Sequence, residues 1–225
     1  MRRVGNCWSL MGVPTGVLKK VLAAVRRRAL RRTDICDHLE TIFCEALSVK
    51  SSLIVELGVG DGESSYAFER AAKLWDAVLV SVDIEDCRKT ASYRKRFFVR
   101  SDDVAFAEKF PDWCRQRNID PSVDVLFIDT SHLYEHTVRE IRSWFPHLAT
   151  RAKVIFHDTN MRETFRRRDG SAGSGWNNER GVIRALEEHF GRSFREENDF
   201  AEVCGGWVIR HSAVCNGLTI LDRYA

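Results

Sequence analysis

From Leu53 onward, short apolar β-branched runs alternate with stretches of helical period, and this rhythm constrains the fold more than any other feature of the chain. Apolar runs bounded by turn residues read as strands. The stretches between them read as crossover helices, and the repetition is the signature of βαβ units feeding a parallel sheet. Strands are expected at LIVEL (53–57), AVLVSVD (77–83), RFFV (96–99), VDVLFID (123–129), KVIFHD (153–158) and GGWVIR (205–210). Helices are expected near 63–75, 103–117, 134–148 and 179–190. A further strand near 193–197 would complete a seven-stranded, mostly parallel α/β sheet.

The chain's 225 residues, 44% hydrophobic and 30% charged, suit one ordinary domain with an appendage. The expected division is a helical N-terminal segment over 1–48, acting as a lid or in oligomerisation, and a main domain over 49–225. A formal charge of +3 is far from that of a dedicated nucleic-acid binder, so no nucleic-acid partner is expected. Cys7, Cys36, Cys44, Cys87, Cys114, Cys204 and Cys215 form no CxxC pair, and their odd count suits a reducing cytoplasm in which most act as small buried hydrophobes. No run approaches the roughly 18 apolar residues of a membrane span, and no membrane partner is expected.

Residues 17–32, VLKKVLAAVRRRALRR, set Val17, Val21, Leu22, Val25 and Ala29 on one side at helical spacing and most of the basic residues on the other. Such a helix either packs with its basic face in solvent or binds an anionic surface or ligand. Its apolar side suggests a second subunit, hence a homo-oligomer. Residues 159–178, TNMRETFRRRDGSAGSGWNN, carry no period. They follow an expected strand end, where open α/β sheets bind ligands.

The stretch VELGVGDGESS (55–65) closes the first strand with three glycines flanked by acids. Counted from Gly58, the sixth position is Glu63, so the dinucleotide fingerprint fails. The spacing present is Glu56, Gly58, Gly60, Gly62. Carboxylates at Glu56 and Asp61 suit a cationic ligand better than a pyrophosphate.

This acid-x-Gly-x-Gly-x-Gly run resembles the first motif of class I S-adenosylmethionine-dependent methyltransferases, with their Rossmann-like sheet. The resemblance implies that Gly58, Gly60 and Gly62 let the backbone pass beneath the amino-acid part of the cofactor, with Glu56, Asp61 and Ser64 beside it. Glu56 would hold the ammonium directly or through water. Asp83, at the end of the second strand, would accept from the ribose hydroxyls, with Glu85 or Asp86 as substitutes. Asp103 would reach the adenine amino group, although Ser101 or Asp102 also suits a helix N-cap there. His136, on the helix after the fourth strand, reads as a surface residue.

Two later strands end in VLFIDTSHLYEH and VIFHDTN. As neighbours in the class I order, they would set Asp129 and Asp158 about 4.8 Å apart, a repulsion that Mg²⁺ or another divalent cation would relieve. These motifs are similar to those of the branch containing the macrocin and mycinamicin sugar O-methyltransferases and the cephalosporin hydroxylase-like proteins (methyltransferase family 24 type), over roughly residues 50–210. That resemblance implies metal ligation by Asp129 and Asp158, with His157 as a third ligand where the branch usually has a second acid. It also implies His132 as catalytic base. Arg166, Trp176 and Asn177 would bind the small-molecule substrate, a hydroxyl compound such as a sugar of a natural product, with Arg167, Arg168 and Asn178 beside them. An N-methyltransferase, a cephalosporin hydroxylase-like protein and a non-catalytic cofactor-binding module stay open as alternatives.

Overall fold

A computed structural model describes residues 13–90 and 92–224 of the chain. Cys7 and the rest of residues 1–12 of the expected N-terminal segment lie outside the described residues. The elements are α1 (Thr15–Arg28), α2 (Leu39–Ser48), β1 (Leu53–Leu57), α3 (Glu63–Trp75), β2 (Val78–Asp83), β3 (Arg96–Arg100), α4 (Asp103–Arg115) and β4 (Val123–Ile128). They continue with α5 (Tyr134–Trp144), β5 (Leu148–His157), β6 (Thr164–Arg166), β7 (Ala172–Ser174), α6 (Gly181–Phe190), β8 (Phe200–Cys204), β9 (Trp207–Ser212) and β10 (Leu218–Arg223).

Eight strands form the main sheet in the order β3-β2-β1-β4-β5-β10-β9-β8. The first five are mutually parallel, and β10 runs antiparallel between β5 and β9. The expected strand at 193–197 is absent. The segment runs there as irregular chain and a turn, with Glu196 paired to the Arg180 guanidinium at 2.7 Å. The edge is built by β8, which pairs with β9 as a hairpin, and β10 is an addition to the expected set. Strands buried on both faces read as near-continuous apolar runs, and β1 and β4 do so, broken only by Glu56 and Asp124.

Two hydrophobic layers cover the sheet. On one face α4, α5 and α6 pack Phe106, Phe110, Trp144 and Leu186 against Leu53, Val55 and Leu126. On the other, α2 and α3 pack Phe43, Leu47 and Phe68 against Ile54, Phe127 and Ile155. Each such side chain contributes about 1.5–3 kcal/mol on burial.

The apolar side of α1 belongs to the second layer, with Leu18 and Val25 buried against the same chain. Val21, Leu22 and Ala29 are half-buried along the same stripe, while Val17 stays 45% exposed. The basic side of α1 is matched by acids: Arg26 pairs with Glu40, and Arg28 with Glu63 at 2.6 Å. The aperiodic stretch contains the two-stranded hairpin β6–β7, here called the flap. Arg167 Nε donates to the Thr33 carbonyl and the Arg168 backbone N–H to Asp37, tying the flap to the chain between α1 and α2.

Candidate active site

The carboxyl edge of the parallel strands carries two compartments that share Gly58, Gly60 and Asp129. The larger is a cleft of about 510 Å³, lined among others by Asp83, Ile84, Asp103, Thr130 and His136. The smaller, about 330 Å³, is lined among others by Asp34, His132, Asp158, Trp176 and Asn216.

Backbone geometry sets their common wall. Gly58 has φ +81°, and a Cβ there would lie 1.9 Å from the Asp129 carbonyl oxygen. Only glycine lets β1 turn beside the end of β4. At Gly60, φ is +47° and a Cβ would meet nothing within 4 Å, so the missing side chain leaves room in the cleft. Asp83 steadies this loop: Oδ2 accepts from the N–H groups of Val59 at 2.8 Å and Gly60 at 3.2 Å, and Oδ1 from Glu85 N–H at 2.8 Å. Glu85 also lines the cleft, whereas Asp86 forms an ion pair with Arg88 on the surface.

Other residues expected beneath the cofactor are used differently. Glu56 is fully buried and faces α3, where its carboxylate accepts from the hydroxyls of Ser64, Ser65 and Ser81 at 2.6–2.9 Å. Burial pushes Glu56 up in pKa, against the opposing pull of those hydroxyls. Glu56 and Ser64 therefore brace the start of α3, and a direct contact with an ammonium in the cleft is corrected to this bracing role. Asp61 is exposed at the loop tip and lines neither compartment. Gly62, at φ +78°, begins α3 behind the cleft.

Asp102 is the N-cap of α4, accepting from Ala105 N–H at 2.8 Å. Asp103 turns into the cleft wall, where Oδ1 lies 2.9 Å from His136 Nε2. His136 is thus no surface residue; the helical period that placed it outward says nothing of the neighbouring α4. Below this pair, the buried Glu140 accepts from the Thr130 hydroxyl at 2.5 Å, and burial raises it well above the usual carboxylate range. Asp103 Oδ2 is buried without a partner.

At the acceptor side the sheet places the expected acids together. Ile128 lies opposite Phe156, so Asp129 and Asp158 emerge just beyond the ends of β4 and β5. His132 Nδ1 lies 3.1 Å from Asp158 Oδ2 and 3.9 Å from Asp129 Oδ1. His132 and Asp158 both hold left-handed backbone, φ +57° and +56°, an uncommon state for non-glycine residues that clusters at functional sites. One ligand atom from each of Asp129, His132 and Asp158 lies within 4.8 Å of the others.

His157 lies beside that triad, against both carboxylates. Its ring is wholly buried, and Nδ1 approaches Asp129 at 3.2 Å and Asp158 at 3.3 Å. Burial opposes its charge, but the Asp158 and Asp129 carboxylates outweigh it and hold the imidazole well above its ordinary pKa. Asp158 is correspondingly lowered by His157, against the effect of burial.

Trp176 lines the smaller compartment with its ring centroid 6.2 Å from that of His132. Asn177 does not line it: its side chain accepts from Glu179 N–H and closes a turn. Arg166 sits on β6, exposed and outside the compartment, and Arg167 and Arg168 serve as flap ties. Asn178 is buried and donates to the Asp158 carbonyl. Sequence reasoning missed Ile84, an exposed hydrophobe directly after Asp83, and Asn216, whose Asn-Gly step marked a turn but no site.

Comparison with known proteins agrees with this geometry. The family model described as a methyltransferase domain, of methyltransferase family 24, matches residues 55–159. An uncharacterized protein, y4gI, of Sinorhizobium fredii is 43% identical over 44 residues, which is 20% of this chain and 5% of that protein. Similar solved structures include cofactor-bound Rv0187 from MTB, with a TM-score of 0.58, 14% identity, and coverage of 93% of this chain and 90% of that one. A methyltransferase from Geobacter sulfurreducens has a TM-score of 0.52, 17% identity, and coverage of 96% and 93%. MycE, from the mycinamycin biosynthetic pathway, in complex with Mg and SAH, has a TM-score of 0.55, 14% identity, and coverage of 90% of this chain but 54% of MycE. The chain thus spans about half the length of MycE, and at these identities the structures establish the fold. The family match runs from the end of β1 to just past β5, through the glycine loop, Asp83, Asp129 and Asp158, so this stretch of the chain is similar to a methyltransferase domain and shares the fold of the solved methyltransferases.

Proposed function

We propose that the chain is an O-methyltransferase acting on a hydroxyl of a small polar molecule such as a sugar, with a divalent cation, most simply Mg²⁺, beside the acceptor. The carrying observation is the His132–Asp158 contact of 3.1 Å in the smaller compartment, beside Asp129, which lines both. A carboxylate that accepts from Nδ1–H fixes the imidazole tautomer and leaves Nε2 free to take a proton, so His132 is read as the general base.

The cleft fits the cofactor through the open space at Gly60, the Asp83 carboxylate and the exposed Ile84, which offers an apolar face to a planar ring. Asp103, which lines the cleft, suits an exocyclic amino group. When bound, S-adenosylmethionine supplies an electrophilic methyl group on a sulfonium. The acceptor compartment would hold the hydroxyl against Trp176 and Asn216, so that positioning carries much of the rate. Asp129 and Asp158, with His132 in reach, would hold the cation, which supplies charge that lowers the hydroxyl's pKa.

Calorimetric titration of S-adenosylhomocysteine, followed by methyl-transfer assays on hydroxylated acceptors with EDTA or excess Mg²⁺, tests this reading. Turnover abolished by EDTA and restored by Mg²⁺ is expected. A second, metal-free reading, including transfer to an amine, is favoured by His157: its imidazole already sits between the two carboxylates. Turnover indifferent to EDTA would select it. A cytoplasmic setting and self-association belong to the same proposal, and light scattering that shows only a monomer would remove the latter.

A further inference from the structure

Outside the active site, one cluster joins pieces of chain far apart in sequence. Cys36 lies in the short helical turn 36–38 before α2, and Cys215 in the loop before β10; both are buried, and they cluster with Phe165 of the flap. Cys215 Sγ–H donates to Asp37 Oδ2 at 3.4 Å, and Cys36, Asp37 and Cys215 each present one ligand atom within 4.8 Å of the others. Asp37 is partly exposed, so the cluster has one side open to water. The backbone meets here as well: Cys215 N–H donates to the Arg166 carbonyl at 2.8 Å, and Arg168 N–H to Asp37 Oδ2 at 2.6 Å. The cysteines reach this point by separate routes, so no CxxC spacing announces it.

From this arrangement we infer a second, soft-metal site, at which Cys36 Sγ, Cys215 Sγ and the Asp37 carboxylate bind Zn²⁺ or a similar thiophilic cation, with water in the fourth position. Two sulfur ligands select zinc-like ions over Mg²⁺, and a separation below 4.8 Å is compatible with a shared tetrahedral ion. Binding releases the thiol protons: each S–H bond breaks, its electron pair goes to the metal, and the proton goes to solvent. Burial pushes the Cys215 thiol up. The site would staple the chain between α1 and α2 to the flap and to the loop carrying Asn216. Asp34 and Asn216, which line the acceptor compartment, lie two residues and one residue from its ligands. Metal loading would thereby fix the acceptor side without touching the cofactor cleft.

The test is titration of the reduced, EDTA-treated full chain with Co²⁺ alone, read by near-ultraviolet absorption. The expected result is a thiolate-to-cobalt charge-transfer band that saturates at one ion, is displaced by Zn²⁺ and not by Mg²⁺, and is lost in Cys36→Ser and in Cys215→Ser. Cys114→Ser, a buried cysteine elsewhere, should retain it. A band absent from the wild type, or one that survives in the Cys36→Ser/Cys215→Ser double variant, would overturn the proposal. The Asp129–His132–Asp158 triad contains no sulfur and yields no such band, so the outcome is independent of the Mg²⁺ reading. Should the serine variants fold poorly, alkylation of the wild type decides: Zn²⁺ must slow labelling of two of its thiols at least tenfold, and equal rates with and without Zn²⁺ refute the site.

Discussion

His132 Nδ1 sits 3.1 Å from Asp158 Oδ2, on two residues that both hold left-handed backbone. A side chain positioned at such backbone cost is held for its direction. Asp158→Asn keeps the shape and removes the charge that fixes the imidazole, and His132→Gln removes the base. Each is expected to lower kcat about 10²–10⁴-fold, the range for a positioned acid–base group. S-adenosylhomocysteine affinity should stay within about threefold of wild type by calorimetry. Loss of cofactor binding in His132→Gln would show that the two compartments are not separable in this way.

Asp83 links the glycine loop to the cofactor cleft through two loop N–H groups. Asp83→Ala removes the loop's anchor together with the acceptor facing the cleft. Hydrogen bonds to a charged group are worth about 1.5–3 kcal/mol, so affinity for S-adenosylhomocysteine should fall about tenfold to 150-fold. Calorimetry reads this directly, and unchanged affinity would remove Asp83 from the cofactor site.

Gly58 and Gly60 should separate stability from binding. At Gly58 a methyl group meets the Asp129 carbonyl oxygen at 1.9 Å, so Gly58→Ala must displace β4 or the loop. A loss of more than about 2 kcal/mol in urea unfolding is expected. At Gly60 the methyl group enters open space, and Gly60→Ala should cost only about 1–2 kcal/mol of backbone strain while weakening cofactor binding. Equal stability loss in both variants would contradict the geometry.

Trp176→Ala addresses the acceptor. Trp176 is 44% exposed and lines the smaller compartment only. The variant should raise the acceptor KM about tenfold, within the range for one lost aromatic contact, and leave the cofactor KM unchanged. Steady-state kinetics with each substrate varied in turn checks this.

His38 gives a pH signature. Its Nε2 lies 2.9 Å from the Val214 carbonyl, and burial, reinforced by the His157 charge, lowers it from its ordinary value to about 3. A histidine whose folded pKa lies below its unfolded value stays neutral in the native state, so its contribution is intact above about pH 6.5 and is lost as pH falls toward 3. The linked stability is on the order of 5 kcal/mol. In His38→Gln, whose amide can still donate to Val214, the decline in unfolding free energy between pH 6.5 and 4 should be shallower than in wild type.

Much of this architecture was legible in the chain because the central parallel strands β1 and β4 are buried on both faces and carry no alternation to confuse. β1 to β5 all appear close to their expected places. β10 escaped because an antiparallel strand inserted between β5 and β9 owes its position to pairing across the sheet, which local pattern does not encode. Asp129, His132 and Asp158 could be read from strand ends and short motifs. The inward turns of Glu56 and His157 could not: both depend on partners from other strands and helices, Ser81 for the first and Asp129 for the second. His136 was misjudged for the same reason, since Asp103 reaches it from α4.

The two compartments differ in how their linings are ordered along the chain. Residues lining the cofactor cleft run from Gly58 to His136, whereas those of the acceptor side extend from Asp34 to Asn216. Translation proceeds from the N-terminus, so a nascent chain delivers every residue of the cofactor cleft long before Asn216 leaves the ribosome. Premature termination within the flap would yield chains that carry every residue of the cleft lining and lack Asn216 of the smaller compartment.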